Sequence, residues 1–385
     1  MGDDRETKSC CCGPPAESPP TSPCCGRKPP KAAQLPPPAA APWIAGSADT
    51  PLGGVPRVST TLCAADRLGT WKARWGIGRM HYRVEPGLYA VGAPATDSPV
   101  LVSANYKMSF DRLRGELAGT DAWLLVLDTD GINVWCSAGK GTFGTEEVVR
   151  RVEATRLGEV VTHRTLVLPQ LAGPGVAAHE VKRLCGFKVV YGPVRAADLP
   201  AFLATEMTAV SEMRRVQFSL ADRMAVVPVE LVMSGKWVLL IAAALLLLAG
   251  LGPGGFSLGR VATAGIASAA ALLLASFGTA VVAPALLPWL PGRAFALKGL
   301  WLGLALAAGA VATGWLYPQL LGGPLSLAGW CLILPAAASF MTMSFTGATT
   351  FTSLSGVRRE MRVAVPLQIA AAVIGTVLWL VGRFV

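Results

Sequence analysis

Apolar positions fall along this 385-residue chain in three regimes. Residues 1 to about 56 are rich in Pro, Ala and Cys and show no apolar period. Too little surface can be buried there to offset chain entropy, so the segment is expected to be a disordered tail. From about Leu62 to Asp222 short apolar runs alternate with helical spacing. Leu88–Val91, Val100–Val102, Trp123–Leu127, Ile132–Trp135, Leu166–Leu168 and Phe187–Tyr191 read as strands. Most of these runs are continuous, as in strands buried on both faces. Between them Phe110, Leu113 and Leu117, then Val148 and Val152, then Ala177, Val181 and Leu184, recur at helical intervals. Such alternation predicts a Rossmann-like α/β domain over residues 57–225 with a mainly parallel sheet. Ligands of these folds sit beyond the carboxyl ends of the strands, which singles out the loops 136–144, Pro169–Gly175 and Gly192–Arg195.

After Lys236 the pattern becomes uniformly apolar. Trp237–Leu251, Val261–Leu287, Gly299–Tyr317, Leu325–Phe345 and Val363–Val381 each read as a span, predicting an all-α domain of five transmembrane helices over 226–385. These stretches contain no Asp, Glu, Lys, Arg or His, so an anchoring role is expected ahead of transport. Gly265 with Ala269, and Gly299 with Gly303, supply small residues four apart for close helix packing. Arg293, Lys298, Arg358, Arg359 and Arg362 flank the spans on one side, which places the α/β domain in the cytoplasm and the chain in the cytoplasmic (inner) membrane as a multi-pass protein.

Composition sharpens this picture. The net charge is +10, yet the cations form no stripe interleaved with aromatics, so a lipid bilayer is the expected partner and nucleic acid is not. The nine cysteines form no disulfide framework: Cys10-Cys11-Cys12 and Cys24-Cys25 lie in the tail, and Cys63, Cys136, Cys185 and Cys331 are scattered. No apolar segment follows Met1 as in a secretory signal. A reducing compartment is therefore expected, and with it a free thiol at Cys136.

Cys136 carries the candidate chemistry. It lies between the apolar run Ile132–Trp135 and the loop Gly139-Lys140-Gly141-Thr142-Phe143-Gly144, with Thr145 as the expected cap of the next helix and Glu146 and Glu147 in its first turn. The loop matches G-x-G-x-x-G, but the following strand ends in Leu168-Pro169-Gln170 without the carboxylate that a dinucleotide site requires. A Walker loop fails as well, because Gly141 follows Lys140. Lys140 and the loop amides favour a thiolate, the form that binds a soft metal or acts as a nucleophile. A nucleophile needs a base, and His81, His163 and His179 are all distant in sequence.

The stretch Asn133-Val134-Trp135-Cys136-Ser137-Ala138-Gly139-Lys140 resembles the N-V-W-C-A-A-G-K signature of the microbial mercury-methylation corrinoid proteins, in which it precedes five transmembrane helices. Ser137 stands where that family has alanine. The runs His163-Arg164, Pro169-Gln170-Leu171 and Tyr191-Gly192-Pro193-Val194-Arg195 are compatible, and the resemblance covers about residues 60–385. It implies a cobalamin-binding domain similar to that of the corrinoid iron–sulfur protein of acetyl-CoA synthesis. The cofactor would be base-off cobalamin, with Cys136 as lower axial ligand of cobalt. Asn133, Val134, Trp135, Ser137, Ala138, Gly139, Lys140, Gly141 and Thr142 would lie around it. The implied reaction is methyl transfer from a methylated pterin such as methyltetrahydrofolate to Hg(II), giving methylmercury. A ferredoxin-like iron–sulfur partner would act as reductant. A methyltransferase with another acceptor and a non-catalytic binding or sensor protein are the alternatives.

Overall fold

The computed structural model describes residues 41–345 and 354–385. The expected tail, with its five cysteines, lies outside the described residues up to position 40. From residue 41 onward the expectation of disorder is corrected. Ile44–Thr50 (β1) and Gly53–Val58 (β2) form an antiparallel hairpin. Val55 and Val58 are buried, and Trp43 packs edge-on against Phe110, with ring centroids 5.0 Å apart. That anchor is distant in sequence, so the local composition gave no sign of it.

The domain continues with α1 (Ala64–Arg74), β3 (Gly87–Val91), β4 (Val100–Ala104), α2 (Lys107–Gly115), β5 (Ala122–Leu127), α3 (Val134–Lys140), α4 (Thr145–Ala154), β6 (Thr165–Leu168), α5 (Ala178–Cys185), β7 (Lys188–Tyr191) and α6 (Leu199–Ala204). The seven strands form one sheet in the order β1-β2-β3-β5-β4-β6-β7. β5, β4, β6 and β7 run parallel, as do β2 and β3, while β3 lies antiparallel to β5. The sheet is therefore mixed, and parallel over the part where the site stands. Along β5, Trp123, Leu125 and Leu127 join Val148, Val152 and Val181 in one core, whereas Ala122, Leu124 and Val126 join Phe110, Leu117 and Phe202 in the other. Helices cover both faces, which is why the strands read as unbroken apolar runs. Leu184, expected to pack inward, is exposed. Cys185 packs against the core in its place.

Two sequence expectations change here. Ile132–Trp135 is not a strand: the chain leaves β5 through a loop and enters α3 at Val134. A four-residue apolar run has too little length to separate the two periods, and β5 is already paired on both edges. The spans also extend beyond their most apolar stretches. The five helices long and apolar enough to cross a membrane are α7 (Val227–Leu248), α8 (Leu258–Leu286), α9 (Phe295–Leu316), α10 (Pro324–Ser344) and α11 (Leu354–Val381). Glu230, Lys236, Lys298 and Arg362 therefore lie within helices. Lys298 Nζ donates to the carbonyls of Leu287 and Leu290, both at 2.7 Å, beyond the end of α8.

The small residues in these helices permit backbone contact. A Cβ on Gly303 would stand 2.4 Å from Pro335 Cα, and one on Gly329 would stand 2.5 Å from the Gly375 carbonyl oxygen. α10 is thus clasped between α9 and α11 as packing of small residues allows. Arg195 pairs with Asp222 at 2.8 Å, and the adjacent Arg223 donates to the Pro284 carbonyl at 2.6 Å. These bonds connect the loop after β7 to the end of α8.

Candidate functional site

β4 and β5 are paired through Ala104 and Leu127, so the residues just beyond them, Asn105 and Asp128, emerge side by side. Asn105 is buried and organises the loop that leads to Cys136. Its Nδ2 donates to Asp128 Oδ1 at 3.2 Å, while its Oδ1 accepts from the backbone N–H of Thr129 (3.1 Å) and of Gly131 (2.9 Å). Gly131 has φ +70° and Asp130 φ +56°, the left-handed pair that reverses the chain. Asn133 then caps α3, its Oδ1 accepting from the Cys136 backbone N–H at 2.9 Å. Cys136 is therefore the third residue of a short capped helix, a correction to its expected place on a glycine loop.

The expected site residues divide by environment. Val134, Trp135 and Cys136 are half-buried, and Gly139, Lys140 and Gly141 are exposed. Ser137 and Ala138 are buried: Ser137 Oγ donates to the Asn133 carbonyl at 2.7 Å, and its own carbonyl accepts from Phe143 N–H at 3.1 Å. Both positions serve the placement of α3. Gly139 lies inside that helix, which removes the turn a dinucleotide loop requires. Gly141, at φ +84°, ends it. Thr145 is the first residue of α4 and not its cap, Gly144 holding that place. Its Oγ1 accepts from Ala177 N–H at 2.9 Å.

One of the loops beyond the strand ends packs directly on this helix, and the end of β7 braces that loop. A Cβ on Gly175 would stand 2.3 Å from the Phe143 carbonyl oxygen and 2.9 Å from Ala138 Cα, so the loop after β6 lies flush against α3. The Tyr191 hydroxyl donates to the Val176 carbonyl at 2.6 Å, tying the loop after β6 to the end of β7. Glu147, buried in the first turn of α4, accepts from Asp128 N–H at 2.8 Å and pairs with Arg150 and Arg151.

Cys136 is a free thiol, and its sulfur has no hydrogen-bond partner among the described residues. Tyr106, beside Asn105 at the head of α2, is electrostatically close to it. Burial pushes the Tyr106 phenol up, Arg79 and Arg74 pull it back, and negative charge on Cys136 pushes it further. The Arg79 guanidinium stands 5.6 Å from the Tyr106 ring centre. The Tyr106 hydroxyl and Thr142 Oγ1 are both buried without a hydrogen-bond partner among the described residues. Among the described residues, no three of His, Cys, Asp and Glu gather as a metal site. His163 is committed to the fold, with Nε2 at 2.8 Å from the Ser98 carbonyl and Nδ1 accepting from Thr165 N–H. His179 and His81 are exposed. Sequence reasoning missed Asn105, Tyr106 and the role of Glu147. The available signal was position, since Asn105-Tyr106 directly follows an apolar strand.

Residues 77–203 match the family described as CO dehydrogenase/acetyl-CoA synthase delta subunit. The chain is 39% identical over 125 residues to acetyl-CoA decarbonylase/synthase complex subunit gamma of Methanopyrus kandleri, a stretch that is 32% of this chain and 27% of that protein. It is 35% identical over 127 residues to the same subunit of Archaeoglobus fulgidus, again 32% of this chain and 27% of the relative. To that of Methanocaldococcus jannaschii it is 32% identical over 122 residues, 31% of this chain and 25% of the relative. The chain spans about a quarter of the length of these curated relatives. The family match takes in β3 to β7, α3 and Cys136, and ends before the membrane-length helices, so it is within the α/β domain that the chain is similar to a subunit of the acetyl-CoA synthase system.

Proposed function

We propose that this chain is a membrane-anchored corrinoid-dependent methyl-transfer protein, with Cys136 as the lower axial ligand of cobalt in base-off cobalamin and Hg(II) as methyl acceptor. The observation that carries the reading is the Cys136 thiol itself. It is half-buried, has no hydrogen-bond partner among the described residues, and is presented by a capped helix beyond the parallel part of the sheet, inside the stretch that matches the CO dehydrogenase/acetyl-CoA synthase family. Hg(II) rests on the resemblance of Asn133–Lys140 to the mercury-methylation signature. The α/β domain is assigned to the cytoplasmic side by the basic residues Arg293, Arg358, Arg359 and Arg362 that flank the spans.

The residues present fit such a cofactor. A corrinoid is rimmed with amide side chains, and the unpartnered Thr142 Oγ1 and Tyr106 hydroxyl are groups that amides satisfy. A Cβ on Gly141 would meet nothing within 4 Å, which leaves the end of α3 open to close approach. When bound, a corrinoid supplies a cobalt centre that takes a methyl group from a methylated pterin and passes it to an acceptor.

Cys136 would hold the cobalt through its sulfur, a soft thiolate donor once its proton has passed to solvent, and ligand identity is a lever by which a protein tunes a metal. Asn133 and Asn105 hold the sulfur in place through the α3 cap and the preceding loop. Lys140, four residues on from Cys136 and exposed, lies on the same helical face and would meet anionic groups of the cofactor tail. A methylated pterin such as methyltetrahydrofolate is the donor, and a ferredoxin-like iron–sulfur protein the reductant.

Anaerobically purified protein should carry cobalt and show a corrinoid spectrum that changes in Cys136→Ala. An unchanged spectrum in the loaded variant would falsify ligation by this residue. Cells should form methylmercury only with the gene present. Corrinoid-loaded protein that leaves Hg(II) unmethylated would assign the same site to another acceptor.

A further inference from the structure

Helix α1 presents two faces of unlike chemistry. Inward, Asp66 and Ala73 are buried, and Asp66 bonds Lys107 and Arg114 of α2. Outward, Leu68, Trp71 and Trp75 recur at helical spacing, and the apolar stripe continues past the helix end through Ile77 to Met80. Trp71 is 55% exposed, Ile77 57% and Met80 67%. The Trp71 and Trp75 rings stand 6.1 Å apart. Arg67 and Lys72, both exposed, flank the stripe. A contiguous apolar patch of this kind marks an interaction surface. Tryptophans bordered by cations, on a helix whose other face is occupied, are the pattern of a segment lying in the plane of a bilayer surface.

The patch adjoins the membrane helices. Gly76 lies against α7, where a Cβ would stand 3.2 Å from Val232 Cγ1. Beyond Val232 the surface of α7 carries exposed Met233 and Trp237, with Lys236 Nζ 5.2 Å from the Trp237 ring centre. The stripe on α1 therefore runs into the lipid-facing surface of a helix long and apolar enough to span the bilayer.

We propose that α1 and the turn to Met80 lie in the headgroup–acyl boundary of the leaflet beside the α/β domain, with Arg67 and Lys72 among acidic headgroups. This rests on the reading of α7 to α11 as membrane-spanning. The surface bears on the site through a short path. Met80 O and Arg83 Cβ each stand 3.5 Å from where a Gly131 Cβ would be, and Arg79 packs on Tyr106. Lipid contact at α1 thereby sets the orientation of the Cys136 helix relative to the bilayer.

The test uses the full chain in nanodiscs of phosphatidylcholine, with and without phosphatidylglycerol. The emission lost in the double variant Trp71→Phe, Trp75→Phe should be emission that brominated phosphatidylcholine quenches and aqueous iodide does not. Amide exchange over residues 64–82 of the unmodified chain, a readout that needs no variant, should slow when phosphatidylglycerol is added. Arg67→Gln with Lys72→Gln should remove that slowing. Emission from Trp71 and Trp75 that iodide quenches and brominated lipid leaves unchanged overturns the proposal. Trp315 of α9 separates this from failure of the membrane reading: it stays quenched by brominated lipid if the helices span, and is unquenched if they do not. Protection of 64–82 that appears only on adding corrinoid or a soluble iron–sulfur protein also overturns the proposal and assigns the patch to that molecule.

Discussion

Two asparagines position the thiol. Asn133 accepts the Cys136 N–H, and Asn105 satisfies two backbone donors of the loop before it. An N-cap of this type is worth about 1 kcal/mol, too little to unfold the domain but enough to loosen the first turn of a seven-residue helix. Asn133→Ala should therefore leave the secondary structure intact by circular dichroism and weaken corrinoid retention several-fold on gel filtration. Retention equal to wild type would remove Asn133 from the positioning of Cys136. Cys136→Ala, by contrast, should change the spectrum of whatever corrinoid is retained, because it deletes the donor and not its support.

At the scale of elements, the site is held by contacts between segments distant in sequence. The buried group of Asp66, Lys107, Asp111 and Arg114 fastens α1 to α2, with bonds of 2.6–2.8 Å. Burial alone raises the Asp66 carboxyl, but hydrogen bonds from Lys107, Arg114 and Cys63 outweigh it and hold the group well below its ordinary value of 3.8. A depressed carboxylate stabilises the fold above its unfolded-state value, and that stability is lost as pH falls through the folded one. Thermal unfolding should thus be insensitive to Asp66 titration from neutral pH down to about 4 and fall below it. Asp66→Asn leaves Lys107 and Arg114 to share the single carboxylate of Asp111 and should cost about 3 kcal/mol at neutral pH, read as a lowered melting temperature whose acid dependence is blunted. Gly175→Ala acts on a different contact. Its Cβ has no room beside Ala138 and Phe143, so the loop after β6 must lift off α3 at a cost of about 1–3 kcal/mol. Corrinoid occupancy should fall together with melting temperature.

At the scale of the molecule, the chain joins an α/β domain with two dry faces to a bundle whose helices touch through glycine. These halves are separable by perturbation. Gly303→Val should push α9 from α10, because Pro335 already occupies the space. The expected loss is about 1–3 kcal/mol, seen as a lower melting temperature in detergent with the corrinoid spectrum of the retained protein unchanged. A spectral change would mean that packing of the apolar helices reaches Cys136. The bonds of Arg195 to Asp222 and of Arg223 to Pro284 and the contact of Gly76 with Val232 are the paths such coupling would follow.

The sequence by itself determined the two-part architecture, five of the sheet strands and the five apolar helices, because each rests on a local hydrophobic pattern that burial then rewards. It also marked Cys136, since a thiol bounded by glycines and an unusual Asn-Val-Trp run is visible without any partner. It did not determine that Ile132–Trp135 would be loop and helix. That outcome depended on β5 being paired on both edges and on Asn105, some thirty positions earlier, bonding the loop. The hairpin Ile44–Val58 was hidden for the same reason: Trp43 just before it packs on Phe110 and Tyr89, and Val55 and Val58 join cores built by distant strands, not a period of their own. The buried ionic group, the fit of Gly175 to α3 and the unpartnered hydroxyls of Tyr106 and Thr142 were decided only by the tertiary structure. Hydrogen bonding, close approach and burial of polar groups are properties of neighbours in space, which a one-dimensional pattern does not contain.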